Sequence, residues 1–355
     1  MRIAVVAPLV APLRSADARG NHAVLLDVAR GLAGRGHQVT LHGAAGSRAP
    51  GLEVVPVPVD AIVRRGFVVP GRPATAPDDE VDLAMARAFE RLVRDVLDRA
   101  PDAVSQHAFD APAIELTEDL PVVHTLHLPP IVPAVVAAVR RTRRPVAAVS
   151  GASRTAWLAA GVGEVGLLRN GVPDLLGPRT ADAALGRAPD RVALIAGRVS
   201  PEKGTATAVR VARAAGLRPL VVGPAYDAAY AREQVEPLVS TFEWRPAVSR
   251  RALARLMARA AVVLMPIGWE EPFGLVAAEA QLVGCPVVGY RRGALPEVVE
   301  DGVGGLLVEP DDEEALVEAV GRALLLDRRA VRARALPRLG IEAMLDAYEA
   351  ALGAP

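Results

Sequence analysis

The stretch Arg191-Val-Ala-Leu-Ile-Ala-Gly-Arg-Val-Ser-Pro-Glu-Lys-Gly204, running on into Thr205-Ala-Thr-Ala-Val-Arg-Val-Ala-Arg-Ala-Ala215, decides the fold. Val192 to Ala196 is a short, wholly apolar run, as a strand buried on both faces requires. A glycine- and proline-bearing turn follows, and then small and apolar residues recur at helical spacing from Thr205 to Ala215. Strand, tight turn, helix is half of a βαβ unit, and the same alternation recurs along the chain.

Working outward, strands are expected at 2–7, 38–43, 52–58, 102–106, 121–126 and 145–149, with helices over 22–33 and 81–99. The pattern restarts at 191–196 and continues through strands at 219–222, 261–265, 286–290 and 304–308. The helices of this half are expected over 205–215, 251–260, 273–283 and 313–326. Asn170 to Pro189 holds three prolines and three glycines with little periodicity, which reads as a linker. Ile341, Met344, Leu345, Tyr348 and Leu352 mark an amphipathic last helix. The expected architecture is α/β: two doubly wound Rossmann-like domains facing each other across a cleft. Their expected bounds are 1–170, a hinge at 171–190, 191–335, and a C-terminal helix over 336–355 that packs back on the N-terminal domain.

Composition narrows the function classes. The chain has 355 residues, 51% apolar and 23% charged, which excludes a disordered or fibrous protein. Its 41 basic and 41 acidic residues cancel, so no bulk charge draws it to nucleic acid or an anionic membrane. Aromatics are only 3%, so the cores must be built from Ala, Val and Leu. The single Cys285 cannot close an internal disulfide. Met1 leads straight into a strand pattern without a leader-like segment, and the apolar run from Ile131 to Val139 is too short to span a bilayer. A soluble, cytoplasmic protein without membrane insertion is expected. Of the 41 basic residues, 40 are arginine and one is lysine, Lys203. A compact ammonium and a planar guanidinium are not interchangeable at a site of fixed geometry, so this exception points to its loop.

In doubly wound sheets, ligands bind beyond the carboxyl ends of the strands. After the 191–196 strand, Gly197 allows a sharp turn, and Arg198 and Lys203 flank a Pro-containing loop before a helix. A forked donor, a point charge and a helix N-terminus together suit a diphosphate, although two solvated cations on a surface loop would read the same. A second loop runs Trp269-Glu-Glu-Pro-Phe-Gly-Leu-Val-Ala-Ala-Glu-Ala280. Pro272 fits a first helical position, so a helix is expected from there. Glu271 then sits just before it and Glu279 two turns in, with backbones roughly 10–12 Å apart along a continuous helix. Two carboxylates so spaced suit the hydroxyls at either end of an extended nucleotide-sugar, while an arginine partner for Glu279 is the plainer alternative. Alternation along 121–126 sets His124 and Leu126 on one face, and Thr125 and His127 on the other. A lone histidine is more often packing than chemistry, and His124 is read as structural.

These motifs together resemble a retaining glycosyltransferase of family 4, a family with the GT-B fold. The resemblance rests on Gly197-Arg198, Glu202-Lys203-Gly204, Pro266 through Gly274, Glu279-Ala280, Gly284-Cys-Pro-Val-Val288 and Arg292-Gly-Ala-Leu-Pro-Glu297 through Gly302. Its E-x7-E motif falls on Glu271 and Glu279. In the N-terminal half only Leu32-Ala-Gly-Arg-Gly-His-Gln-Val39 and the general outline match. The resemblance implies that Arg198 and Lys203 hold the donor diphosphate, Glu271 the sugar hydroxyls and Glu279 the ribose. It further implies that the amides of Phe273, Gly274 and Leu275 face the sugar and phosphates, that His127 lies near the reacting sugar, and that no metal or other cofactor is needed. No Asp-x-Asp motif or histidine cluster stands out in the sequence. The family's usual Gly-Gly pair is replaced by Arg19-Gly20-Asn21, an acceptor-facing loop whose turn survives if Asn21 adopts the left-handed conformation. Asn170-Gly171 resembles a family dipeptide, and is equally an ordinary turn.

The implied reaction is transfer from a nucleoside-diphosphate sugar, such as a UDP- or GDP-hexose, to a small or soluble acceptor. Charge developing on the diphosphate is met by Arg198, Lys203 and amide dipoles, and front-face transfer retains the anomeric configuration. A GT-B nucleotide-sugar epimerase or a non-catalytic nucleotide-sugar binder would share the same cradle. A dinucleotide dehydrogenase is disfavoured, because the loop after Ala7 lacks G-x-G-x-x-G.

Overall fold

A computed structural model describes residues 1–14, 20–66 and 78–353. The chain divides into two units: one takes the described residues up to Asn170 together with those from Ile341 on, and the other is Gly171–Gly340.

The first unit is built on a parallel sheet of β1 (Arg2–Val6), β2 (Gln38–Ala44), β3 (Glu53–Val57), β4 (Ala103–Gln106), β5 (Val122–Leu126), β6 (Val146–Ala148) and β7 (Gly166–Leu167). Its order is β3-β2-β1-β4-β5-β6-β7. The second unit carries β8 (Asp190–Ala196), β9 (Arg218–Val222), β10 (Glu243–Arg245), β11 (Ala260–Met265), β12 (Val287–Tyr290) and β13 (Gly305–Val308). Its order is β10-β9-β8-β11-β12-β13. Both are the doubly wound arrangement, in which the winding reverses beside the first strand of the unit. The switch points are therefore β1/β4 and β8/β11. The expected α/β class, with two doubly wound parallel sheets, is what the structure shows.

The reasons are local. All six residues of β11 are buried, as a parallel strand covered on both faces must be. Helix Asp78–Arg99 buries Met85, Ala88, Phe89, Leu92 and Val96, a single 3.6-period stripe. Asp78, Asp79 and Glu80 occupy its first turn, where the helix dipole favours negative charge. In the second unit, Val209, Ala212, Val262, Val288 and Val320 join one core. Cys285 of the same unit is fully buried, and its thiol is pushed up to about 12 by desolvation.

The linker, one boundary and two strands differ from expectation. The stretch 171–190 is not featureless, for it contains helix Gly177–Leu185 with Ala181 buried. The expected break at 335 falls inside helix Arg328–Leu339, which belongs to the second unit and encloses Pro337. The short strands β7 and β10 escaped the sequence reading.

The last helix, Ile341–Ala351, lies in the first unit and buries Met344, Leu345 and Tyr348. It packs on helix Asn21–Gly34 so closely that a Cβ added at Gly31 would come within 2.4 Å of Leu345 Cδ2. Arg35 grips Glu342, Asp346 and Glu349 at 2.6, 2.7 and 2.6 Å. His37 Nε2 meets the other oxygen of Glu349 at 2.8 Å. Arg35-Gly36-His37 thus acts as a clamp for the final helix.

Candidate functional site

In the second unit the loops that leave β8 and β11 interlock at the switch point. Gly204 has φ +63, and a Cβ there would sit 2.1 Å from the Pro266 carbonyl oxygen, so the loops approach backbone to backbone. Gly268 N–H donates to the Glu202 carbonyl at 2.9 Å, tying them again. Gly293, in the loop after β12, has φ +56, and a Cβ would meet Glu271 N at 2.4 Å.

This closeness brings together two residues singled out on separate loops. Lys203 Nζ lies 2.5 Å from Glu271 Oε2, and Trp269 Nε1 donates to the same oxygen at 2.8 Å. The pair is largely shielded, with side chains 23% and 13% exposed. Lys203 also lies over the Trp269 ring, 5.4 Å from its centroid. Arg198, expected to converge with Lys203, has other partners. Its guanidinium stacks 4.2 Å from the Tyr226 ring centroid and reaches Glu202 at 3.3 Å.

The helix expected from Pro272 begins instead at Leu275, with Gly274 left-handed at its N-cap (φ 94, ψ 55). That conformation breaks the helical path, so Pro272 and Phe273 lie in a turn and the 10–12 Å separation of Glu271 and Glu279 no longer follows. No side chain caps the helix, which leaves the amides of its first turn, starting with Leu275, to a ligand or solvent. Glu279 is 8% exposed and accepts from Arg250 Nε at 2.9 Å. The plainer alternative from sequence is therefore real, and Arg250 is its partner.

In the first unit Gly20 has φ 55 and ψ −134 at the N-cap of helix Asn21–Gly34. Asn21 is helical, so the left-handed conformation expected of it is not adopted. Arg19 lies outside the described residues. Asn170 is buried, and its N–H reaches the Val149 carbonyl at 3.4 Å.

His127 follows β5 and is 6% exposed. Trp157 Nε1 donates to the Leu128 carbonyl at 3.0 Å and pins the loop beside it. Nε2 of His127 lies 2.8 Å from Nδ1 of His107, whose own Nε2 lies 2.9 Å from Ser105 Oγ. Desolvation, with His22 acting the same way, pulls the His127 imidazole down to about 4. Burial and His127 hold His107 well below its ordinary value. Both rings are therefore neutral near pH 7. His107 escaped the sequence reading, which saw no histidine cluster, although it follows β4 just as His127 follows β5. His124 is buried and, as read from sequence, lies on the opposite side of β5 from His127.

Among the described residues, no three His, Cys, Asp or Glu side chains are grouped so as to hold a metal ion. Nor is any helix among them long and apolar enough to cross a membrane.

Comparison with known proteins covers both units. Residues 19–174 match the family described as Glycosyltransferase Family 4, and residues 190–325 match Glycosyl transferases group 1. A D-inositol 3-phosphate glycosyltransferase of Streptomyces griseus is 37% identical over 163 residues, covering 41% of this chain and 34% of that protein. One of Saccharomonospora viridis is 36% identical over 200 residues, covering 49% and 46%. The chain thus spans between a third and a half of the length of these relatives. Among solved structures, a sucrose-phosphate synthase of Thermosynechococcus elongatus superimposes with TM-score 0.78 at 20% identity, over 98% of this chain and 97% of its own. Anabaena HepE in complex with UDP-glucose gives 0.75 at 21%, over 99% of both chains.

Proposed function

From the premise that this chain belongs to the family 4 glycosyltransferases of GT-B fold, we propose that it transfers a hexose from a nucleoside-diphosphate sugar to a small, soluble acceptor, retaining the anomeric configuration. The observation that carries this reading is the Lys203–Glu271 pair at the β8/β11 switch point, 2.5 Å apart, beside an uncapped helix N-terminus. An ammonium, a carboxylate and free amides are the groups that a sugar diphosphate needs in one place.

On binding, Lys203 exchanges Glu271 for a diphosphate oxygen, and Glu271 is freed to accept from sugar hydroxyls. Glu279, held by Arg250, accepts from the ribose. Arg198 adds a second cation after leaving Glu202. As the anomeric C–O bond breaks, its electron pair passes to the departing diphosphate, where Lys203 and the helix amides stabilise the charge; removing one such donor costs about 10²–10³ in rate. The acceptor oxygen bonds to the anomeric carbon from the same face and its proton goes to the departing phosphate. His127, neutral near pH 7, is the first unit's proposed hydrogen-bonding partner for the sugar. The protein's cations and amides supply the counter-charge, so the proposed transfer uses no metal.

UDP-glucose is the first donor to test, because Anabaena HepE, which shares the fold, has been solved with it. Inositol phosphate is the first acceptor, because the relatives carry that name. The test is a thermal-shift panel of UDP, GDP, ADP and their sugars. A ligand at 100 times its Kd stabilises by about 2.7 kcal/mol, and Lys203→Ala is expected to abolish the shift. Melting unchanged by every nucleotide, or an undiminished shift in the variant, refutes the donor site.

A further inference from the structure

We propose that Ser105, His107 and His127 form a hydrogen-bonded chain in which His107 is a positioning residue that sets the tautomer of His127. The inference rests on the reading above that His127 is a hydrogen-bonding partner of the sugar.

Topology puts the three together. Ser105 lies in β4 opposite Val123 of β5, and two-residue alternation keeps Ser105 and His107 on the face shared by Thr125 and His127. Tyr348 of the last helix stacks on the His107 ring with centroids 5.8 Å apart and planes 15° apart, and His127 lies edge-on to it, its centroid 5.1 Å away and its plane tilted by 24°, as their N···N hydrogen bond requires. Tyr348 is itself fixed by a 3.2 Å hydrogen bond between its hydroxyl and Thr125 Oγ1. The His107 backbone N–H donates to the Val6 carbonyl at 2.9 Å. Ser105 and His107 are each 1% exposed, so water does not compete for their nitrogen and oxygen atoms.

Two neutral imidazoles joined Nδ1 to Nε2 cannot choose tautomers independently. If His107 carries its proton on Nδ1, it donates to Nε2 of His127, and the His127 proton must lie on Nδ1. Ser105 then donates to Nε2 of His107. If His107 carries its proton on Nε2, it donates to Ser105 Oγ, Nδ1 accepts from Nε2–H of His127, and Nδ1 of His127 is a bare acceptor. A mixed pair would set two N–H groups, or two lone pairs, face to face at 2.8 Å. The chain thus has two registers, and they decide whether His127 offers the sugar a donor or an acceptor at Nδ1. The serine hydroxyl serves either register, since it both donates and accepts.

The test uses the full-length protein with ¹⁵N-labelled histidine. Long-range ¹H–¹⁵N spectra near pH 7 are expected to show His107 and His127 in the same tautomer. His107→Phe keeps a ring for stacking but removes both nitrogens. It is expected to change the His127 tautomer ratio and to lower turnover of UDP-glucose more than tenfold, with UDP affinity within about twofold of the parent. Ser105→Ala, a smaller change, is expected to shift both rings together, and His107→Asn to restore part of the activity. Opposite tautomers in the parent protein, or a His127 spectrum unaltered in both His107→Phe and Ser105→Ala, overturns the proposal. Linked tautomers in a protein that neither binds a nucleoside diphosphate nor consumes its sugar overturns the transfer reading and leaves the chain itself standing.

Discussion

Glu271→Gln separates binding of the diphosphate from handling of the sugar, because the two carboxylate partners respond differently to it. Lys203 and the Trp269 indole both reach Oε2 of Glu271, at 2.5 and 2.8 Å. The amide is nearly the same size, and its oxygen keeps the indole hydrogen bond, but it offers Lys203 no charge. With side chains 23% and 13% exposed, the pair lies between exposed pairs, worth about 0–1 kcal/mol, and buried ones, whose disruption costs about 3–5. Roughly 1 kcal/mol of competition is removed from the ammonium, so free UDP or GDP is expected to bind about fivefold more tightly. Turnover of the sugar nucleotide is expected to fall by about 10²–10³ if Glu271 holds sugar hydroxyls in the transition state as proposed. The assay pairs calorimetric titration of the nucleoside diphosphate with single-turnover consumption of the donor. If Glu271→Gln weakens UDP and GDP as much as Lys203→Ala does, the pair is a fixed part of the diphosphate site and the partner exchange argued above is wrong.

Three further outcomes test other links. Gly204→Ala puts a Cβ 2.1 Å from the Pro266 carbonyl at φ +63; denaturant melts are expected to show a loss of at least about 2 kcal/mol, and a parental melt would show that the loops are not locked there. Arg250→Ala takes a charge partner from Glu279 at 8% exposure, and is expected to bring the affinities for ribo- and 2′-deoxyribonucleoside diphosphates together; an unchanged ratio in titrations would remove Arg250 from ribose recognition. Burial pulls His42, His124 and His127 down to about 4, so the folded first unit binds fewer protons than the unfolded chain. That stability is full above about pH 6.5 and is lost as the pH falls from there toward 4, by up to about 1.4 kcal/mol per pH unit for each ring; melting temperatures flat between pH 7 and 5 would contradict their burial.

What could be read from the sequence, and what could not, follows from the range of each interaction. Runs such as Val192–Ala196 and Ala260–Met265 announce strands because a parallel strand is apolar on both faces, and the helix stripes are equally local. The start of the helix at Leu275 was misread because the Pro272 preference is local too, and the left-handed turn at Gly274 overrides it. β7 and β10 span only two and three residues and carry almost no pattern. His107 becomes legible only once β4 is known to lie beside β5, a pairing no spacing reveals. Arg250 could not be chosen among 40 arginines as the partner of Glu279. The residue types of the candidate site were therefore visible, whereas their ligand-free partners were not, and those partners govern the energetics. Lys203 holds Glu271, Arg198 holds Glu202, and Glu279 is held by Arg250. Binding is then an exchange of partners, and its net free energy is a small difference between large terms. The diphosphate proposed above would replace the carboxylates at Lys203 and Arg198 and leave the Glu279–Arg250 pair intact.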